Sequence, residues 1–540
     1  MEENEKVLYD KLIDTLDKKV EHVKEICKTE IPTFQEIGHK FLDGDISSAE
    51  FKASSGGMGV YAERSGKEFM IRLRIPSGIL DLTTLKLVQS FINDYKLDFI
   101  HFTTRQTIQL HNLPFDTMIE IMKQSLVHDI MTRGGGGNFP RNVSLSPLSG
   151  IQVEESFDVT PYAVLVNKYF ASQINTYHLP RKFKVAFSNC EQDSANATIA
   201  DLGFLAVIQD GHPYFKVFLG GSLGVSGEIS VPYDELISPN DILYHVEALL
   251  NLFKEEGDYQ NKGKARIRFI VKRMGSDAFL QCYKKHLKIV KEEKNLDFIL
   301  NPLTDDNQEI ATQKHSLTHP DVIPQKQDDL YCVVLHPQGG ILYGSDFTNI
   351  LTYIETIPSV EIRLGMDEGM YIRNLTAEQA EELLKLTAEI RNTTRLSRSI
   401  SCIGTPICQI GIQSSQLLLG QILDYFKEQQ LEDDILPSIH ISGCVNSCAR
   451  HQVSTIGFQG KKKRINSETK DAYALFIGGN TGLEETQLAK EYGDILAEAI
   501  PEFLYQLALL LKERKQDFPN FIQLYKDDFI SLLEKYIIQS

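Results

Sequence analysis

No apolar run in the chain approaches the ~20 residues needed to span a bilayer. Its charged, acidic opening, Met1 to Lys6, is no secretory leader. These absences argue against a membrane-embedded or exported protein and point to the cytoplasm. Basic residues are in deficit: 56 Lys and Arg against 73 Asp and Glu give a formal charge of −17. Nucleic acid is therefore not expected as a partner, because phosphate binding needs a positive surface. No glycine-rich dinucleotide fingerprint follows a strand, so no flavin or nicotinamide domain is expected, and any electrons must come from another protein. Only eight cysteines occur, and without a leader they suggest a reducing compartment rather than a disulfide framework. What remains is an ordinary globular balance, 42% apolar and 24% charged, over 540 residues. That length exceeds one core and predicts roughly two to four domains.

Four of the cysteines carry the strongest signal. Cys402 and Cys408 stand six residues apart, and Cys444 and Cys448 follow in the block Ser442-Gly443-Cys444-Val445-Asn446-Ser447-Cys448-Ala449-Arg450. Four thiolates on two tight turns suit a cubane iron–sulfur cluster, in which each iron takes one soft sulfur ligand. The spacing is neither that of zinc ribbons nor the compact run of bacterial ferredoxins. Cys27, Cys190, Cys282 and Cys332 are scattered singly and read as small core residues.

The chain also carries an internal repeat. Phe69–Leu113 can be laid on Tyr331–Leu375 without a gap, so that Gly78-Ile79-Leu80 falls on Gly340-Ile341-Leu342 and Asn112-Leu113 on Asn374-Leu375. Both copies read strand, turn, helix, strand, helix, and the last helix of the second opens at a capping box, Thr376 to Gln379. A duplicated α+β unit follows, its copies facing across a cleft. Arg72 and Arg105 of the first copy correspond to Val334 and Asp367 of the second, so the basic chemistry is kept on one side. Residues 301–329 are polar and aperiodic and are expected to form a linker.

Strand alternation places Arg72 and Arg74 on one face, opposite Ile71 and Leu73; likewise Lys182 and Lys184 oppose Phe183 and Val185. Taken singly these are polar sheet faces, and Arg141, after the loop Gly134–Gly137, is a surface arginine. Beside an iron–sulfur cluster they suggest a site for an anionic cofactor or oxyanion, whose water several fixed cations replace.

These blocks, with Thr104-Arg105-Gln106-Thr107-Ile108-Gln109-Leu110-His111, Pro140-Arg141-Asn142, Leu179-Pro180-Arg181-Lys182 and the loop Gly220–Gly224, resemble the siroheme-dependent sulfite and nitrite reductases of the single-chain, ferredoxin-dependent type. The likeness runs from about Ser54 to about Gly482. It implies an α+β fold in which duplicated ferredoxin-like half-units and two siroheme/iron–sulfur domains surround a central cofactor cleft. The implied order is a helical arm (1–48), a first half-unit (49–135), a first siroheme-binding domain (136–300), the linker, a second half-unit (330–390), and a [4Fe–4S]/siroheme domain with C-terminal helices (391–540). The resemblance implies that Cys402, Cys408, Cys444 and Cys448 hold the cluster, Cys448 also reaching the siroheme iron. It implies anion-binding and proton-donating roles for Arg72, Arg141, Lys182 and Lys184, and siroheme contacts for Arg105, Gln109, His111 and Asn446. Two departures stand out: Val445 where proline is frequent, and His101 where arginine is common.

Such an enzyme takes sulfite to sulfide or nitrite to ammonia. Lysine at position 184, where nitrite reductases tend to carry asparagine, favours sulfite, a dianion over much of the neutral range. The alternatives are an assimilatory nitrite reductase on the same scaffold and a non-catalytic metal or iron–sulfur module. Ferredoxin is the expected donor, with a flavoprotein as the other possibility. The run Lys461-Lys462-Lys463-Arg464 is either a docking patch for it or a solvated hairpin.

Overall fold

The computed structural model describes residues 2–300, 317–392, 394–431 and 434–538. The first element is helix Glu2–Leu42. Its apolar residues Leu16, Val23, Cys27, Ile31 and Phe34 recur at helical spacing and form one buried stripe. That stripe packs on the body that follows: Phe34 meets Phe115 edge-on with ring centroids 5.9 Å apart.

The repeat is present in three dimensions. The first copy supplies β1 (Val60–Ala62), β2 (Phe69–Leu73), β3 (Ile79–Leu80), β4 (Phe99–Phe102) and β5 (Ile108–Leu113). A middle unit supplies β6 (Ser144–Leu145), β7 (Val185–Ser188), β8 (Leu202–Gln209), β9 (His212–Leu219) and β10 (Val231–Ile237). The second copy supplies β11 (Val322–Pro324), β12 (Tyr331–Leu335), β13 (Ile341–Tyr343), β14 (Glu361–Leu364) and β15 (Met370–Leu375). Last come β16 (Ile400–Ser401), β17 (Ile439–Ser442), β18 (Ile456–Ile465), β19 (Glu468–Ile477) and β20 (Lys490–Leu496).

The two half-units exchange a strand. Their sheets run β1-β2-β5-β4-β13 and β11-β12-β15-β14-β3, so each ends on a strand from the other copy. The exchanged strands directly follow the two aligned glycine turns of the repeat. A side chain on either glycine would strike the opposite half: a Cβ on Gly78 would lie 2.8 Å from the Leu364 carbonyl, and one on Gly340 2.5 Å from that of Phe102. The expected capping box is formed, with Thr376 and Gln379 bonding reciprocally.

The other two sheets are a second duplication, which the sequence reading does not contain. Both have three parallel strands followed by two antiparallel ones, in the orders β6 to β10 and β16 to β20. The loops Gly220–Gly224 and Gly478–Gly482 follow the corresponding strands β9 and β19.

The linker expected over 301–329 needs correction. Residues 301–316 lie outside the described residues, and Val322–Pro324 is not linker but strand β11, antiparallel to β12. Three residues are too few to show a period, and Pro324 is tolerated because β11 is an edge strand. Among the described residues no helix is long and apolar enough to cross a membrane.

Candidate active site

Strand β2 alternates as expected: Phe69, Ile71 and Leu73 are fully buried, while Arg72 emerges half-buried on the other face. A Gly135 carbonyl accepts from the Arg72 guanidinium and, at 3.2 Å, from Arg141, which also donates to Gly137 O at 2.9 Å. The loop Gly134–Gly137 thus fixes both arginines through its backbone. Gly136 must be glycine, because a Cβ there would lie 2.3 Å from Gly56 O and 2.4 Å from the Tyr61 hydroxyl. Tyr61 accepts the Gly137 N–H at 3.1 Å. Burial alone would raise its pKa, but Arg141 and Arg72 outweigh that and lower it.

Gln109 on β5 turns its amide oxygen to Arg72 (Nε at 3.1 Å, Nη2 at 2.5 Å) and its amide nitrogen to His101 Nδ1 at 3.1 Å. His111 is engaged differently, by Glu63 Oε1 at 3.2 Å. Arg105 donates to Asn142 O at 2.6 Å, and its neighbour Thr104 donates to the Cys448 carbonyl at 2.8 Å. Asn446 stands apart from these, exposed on the second cysteine loop, its amide 3.4 Å from Cys444 Sγ.

Lys182 and Lys184 are half-buried between Phe183 and Val185, which are fully buried. Burial, then Arg266 and Arg141, push Lys182 down to about 7; burial, then Arg105 and Lys182, push Lys184 well below the ordinary amine range. Two residues absent from the sequence reading support this floor. Asp201 accepts the Lys184 backbone N–H at 2.9 Å and is itself gripped by Arg266 at 2.8 and 3.0 Å. Single residues this far apart carry no motif that could have marked them.

The cleft is therefore overloaded with positive charge. Among the described residues Arg72, Arg105, Arg141, Lys182 and Lys184 form no ion pair, whereas Arg266 has Asp201. Nε of Arg105 and of Arg141, and Nε2 of His101 and of His111, are buried without a hydrogen-bond partner. Such a set needs anions to offset its desolvation, and a tetrapyrrole rich in carboxylates supplies them.

The duplication brings out what is particular to the cysteines. The strand register makes Ser146, Gln152, Cys190 and Ser194 the counterparts of Cys402, Cys408, Cys444 and Cys448. The counterparts close on one another: Ser194 donates to Ser146 Oγ at 2.7 Å, and Gln152 Nε2 lies 3.6 Å from Cys190 Sγ. The four cysteines, free thiols like Cys190, form no bond to one another among the described residues. Backbone N–H groups face them, Gly443 N–H lying 3.2 Å from Cys402 Sγ. Burial, then Cys448, push Cys402 up to about 12, so its thiolate requires a cationic centre. Among the described residues no three His, Cys, Asp or Glu converge as one metal ion would require. Cys448 is the exposed member, close enough to Arg72 and Lys182 for its charge to raise their proton affinity.

The basic run 461–464 is not a free patch. Lys461 pairs with Glu491 (2.7 Å) and Asp494 (3.0 Å), Lys463 with Asp494 (2.5 Å), and Lys462 with Asp471. Carboxylates on β19 and β20 thus pair with the three lysines of the run.

Comparison with known proteins points the same way. Residues 61–126 match the nitrite/sulfite reductase ferredoxin-like half domain, and 136–291 match the nitrite and sulphite reductase 4Fe-4S domain. Over these segments the chain is similar to the nitrite and sulfite reductase family. The second of these matches describes a 4Fe-4S domain. The second match falls on the first of the duplicated units; the cysteine pairs lie in the other. A ferredoxin–nitrite reductase of Synechococcus elongatus is 28% identical over 82% of this chain and 86% of its own length. A ferredoxin sulfite reductase of Mycolicibacterium paratuberculosis is 24% identical over 77% and 74%. The fold matches that of Mycobacterium tuberculosis NirA with a TM-score of 0.74, at 21% identity over 90% of this chain and 92% of that one.

Proposed function

We propose that the chain reduces sulfite to sulfide, taking six electrons from a protein donor. The observation that carries this reading is the 2.8 Å bond from Thr104, the neighbour of Arg105, to the Cys448 carbonyl, which sets the cysteine site beside the unpaired cations, near enough for its charge to reach Arg72 and Lys182. When bound, siroheme and the [4Fe–4S] cluster supply the redox chemistry. Cys402, Cys408, Cys444 and Cys448 would hold the cluster, and Cys448, the exposed member, would also serve the siroheme. Arg105, Gln109, His111 and Asn446 serve the macrocycle, Gln109 in addition orienting Arg72. Arg72 and Arg141 are fixed by carbonyls of the glycine loop and bind the oxyanion. Burial and the neighbouring cations hold the Lys182 and Lys184 amines below their ordinary range. An arriving dianion draws protons onto them, and they then stand ready as donors when oxygen leaves as water.

Electrons enter, on this reading, from ferredoxin at the Cys408 loop. Ile410 there is 53% exposed and nearby Leu417 60%. Arg64 borders the loop through a 2.9 Å bond to Gly411 O, and Lys52 is near enough for its charge to reach Cys408. An acidic carrier fits that combination.

The second reading is reduction of nitrite to ammonia, favoured by the ferredoxin–nitrite reductases among the relatives. Lys184 separates the two, because a further cation is worth more to a dianion than to a monoanion. Lys184→Asn is expected to lower kcat/KM for sulfite about tenfold more than for nitrite, a difference of about 1.4 kcal/mol. Anaerobic turnover with a reduced viologen dye checks it; equal losses on both anions would overturn the substrate assignment.

A further inference from the structure

Gln106 and Glu368 are counterparts in the two half-units, each in a left-handed turn (φ 56° and 65°) between the last two strands of its copy. Gln106 is a buried connector. Its amide nitrogen donates to Leu145 O and Leu364 O, both at 2.7 Å, and its oxygen accepts Leu145 N–H at 2.9 Å. One side chain thereby ties the first half-unit to β6 and to β14 of the other half.

Glu368 occupies the same place in the second copy, 3% exposed. Ser401, the counterpart of Leu145, directs its N–H at Glu368 Oε2 from 3.4 Å. The counterpart of the Leu364 carbonyl is that of Phe102. A Cβ on Gly340 would lie 2.5 Å from Phe102 O and 3.1 Å from Glu368 Cβ, as one on Gly78 would lie 2.8 Å from Leu364 O and 2.9 Å from Gln106 Cβ. A carboxylate in this setting could accept from Ser401 but could only repel the Phe102 carbonyl. A carboxylic acid can accept and donate, as the amide of Gln106 does.

We propose that Glu368 keeps its proton and acts as an amide surrogate, a positioning residue that ties β16, and with it Cys402, to the first half-unit. The importance of Cys402 rests on the functional reading above; the tie itself does not. Of the groups facing Glu368, the Ser401 N–H and Arg450 favour its ionised form and Asp367 opposes it, while Asp367 is itself held by His336 at 2.7 Å and Tyr371 at 2.8 Å. His101, which touches the same glycine turn, is neutral, because burial pushes it down to about 3. Burial is the largest influence on Glu368 and pushes its carboxyl up to about 8.

The sign of the pH effect follows. Between the ordinary carboxyl range and about 8 the folded chain holds a proton that the unfolded chain has released, so folding stability falls as pH rises through that window. Glu368→Gln has no proton to lose. Thermal unfolding of the purified full chain, with its cofactors, should give matching midpoints for wild type and E368Q near pH 5. E368Q should then become increasingly the more stable of the two up to pH 9. Glu368→Ala, lacking both bonds, should melt below both at pH 5 and lose cluster absorbance to a chelator severalfold faster. A wild-type-to-E368Q difference that stays constant with pH, or an E368Q less stable than wild type at pH 9, would overturn the proposal. Absence of tetrapyrrole from every variant would strike the functional reading instead, and would leave the melting comparison intact.

Discussion

Cys448→Ser is expected to yield a chain that has lost its tetrapyrrole as well as an intact cluster, with turnover down by about a thousandfold or more, because the cofactors carry the redox chemistry. The double loss distinguishes a shared ligand from an ordinary one. Cys448 is the exposed thiol of the set and the one whose charge reaches Arg72 and Lys182. Cys190→Ser is the matched control. Cys190 is the counterpart of Cys444, but its site is closed by Gln152 at 3.6 Å, so turnover should stay within about twofold of wild type, as for substitutions away from functional groups. Visible absorption and iron content of the anaerobically purified variants decide the matter. A Cys448→Ser chain that keeps its tetrapyrrole and its turnover would contradict the shared-ligand role.

Arg141→Ala should cost about a hundred- to a thousandfold in kcat/KM, the usual scale for removing one preorganised donor from a developing or bound oxyanion. The guanidinium is held by Gly135 O at 3.2 Å and Gly137 O at 2.9 Å, leaving its Nε buried and unpartnered. Its position is therefore set before any anion arrives. Arg141→Lys keeps the charge but not the planar fork and should fall between wild type and alanine. Steady-state kinetics on chains with equal cofactor content and equal melting temperature check this. Loss of less than about tenfold for alanine, or a lysine variant no better than alanine, would remove Arg141 from the anion site.

Much of this architecture was legible before the structure. The first repeat was visible because its strands and turns keep a constant offset, and because Arg72 and Arg105 face Val334 and Asp367 across the alignment. The strand exchange was not, since pairing partners of β3 and β13 leave no mark in a local pattern. The second duplication escaped for a related reason. Its matching parts are short parallel strands whose apolar residues are interchangeable, and its surviving likenesses, two glycine loops and the Cys190/Cys444 pair, gain meaning only once register is known. The alternation of Arg72 and of Lys182 and Lys184 was readable because burial on a strand has a period of two. Asp201 and Arg266, which carry the floor beneath Lys184, were not, being brought together from distant, motif-free segments. The run Lys461–Arg464 shows the opposite limit: four adjacent positive charges, three of whose partners, Asp471, Glu491 and Asp494, lie on neighbouring strands.

On this reading one cleft joins four cysteine ligands to a set of unpaired cations around a tetrapyrrole. The most direct test is the composition of the chain purified without oxygen: iron, acid-labile sulfide, zinc and extracted tetrapyrrole, each per chain. The account predicts one siroheme, no zinc, and one more iron than sulfide, because the cluster contributes the two equally and the siroheme adds its own iron. Zinc in the cysteine site, or a cluster with no tetrapyrrole beside it, would contradict the account.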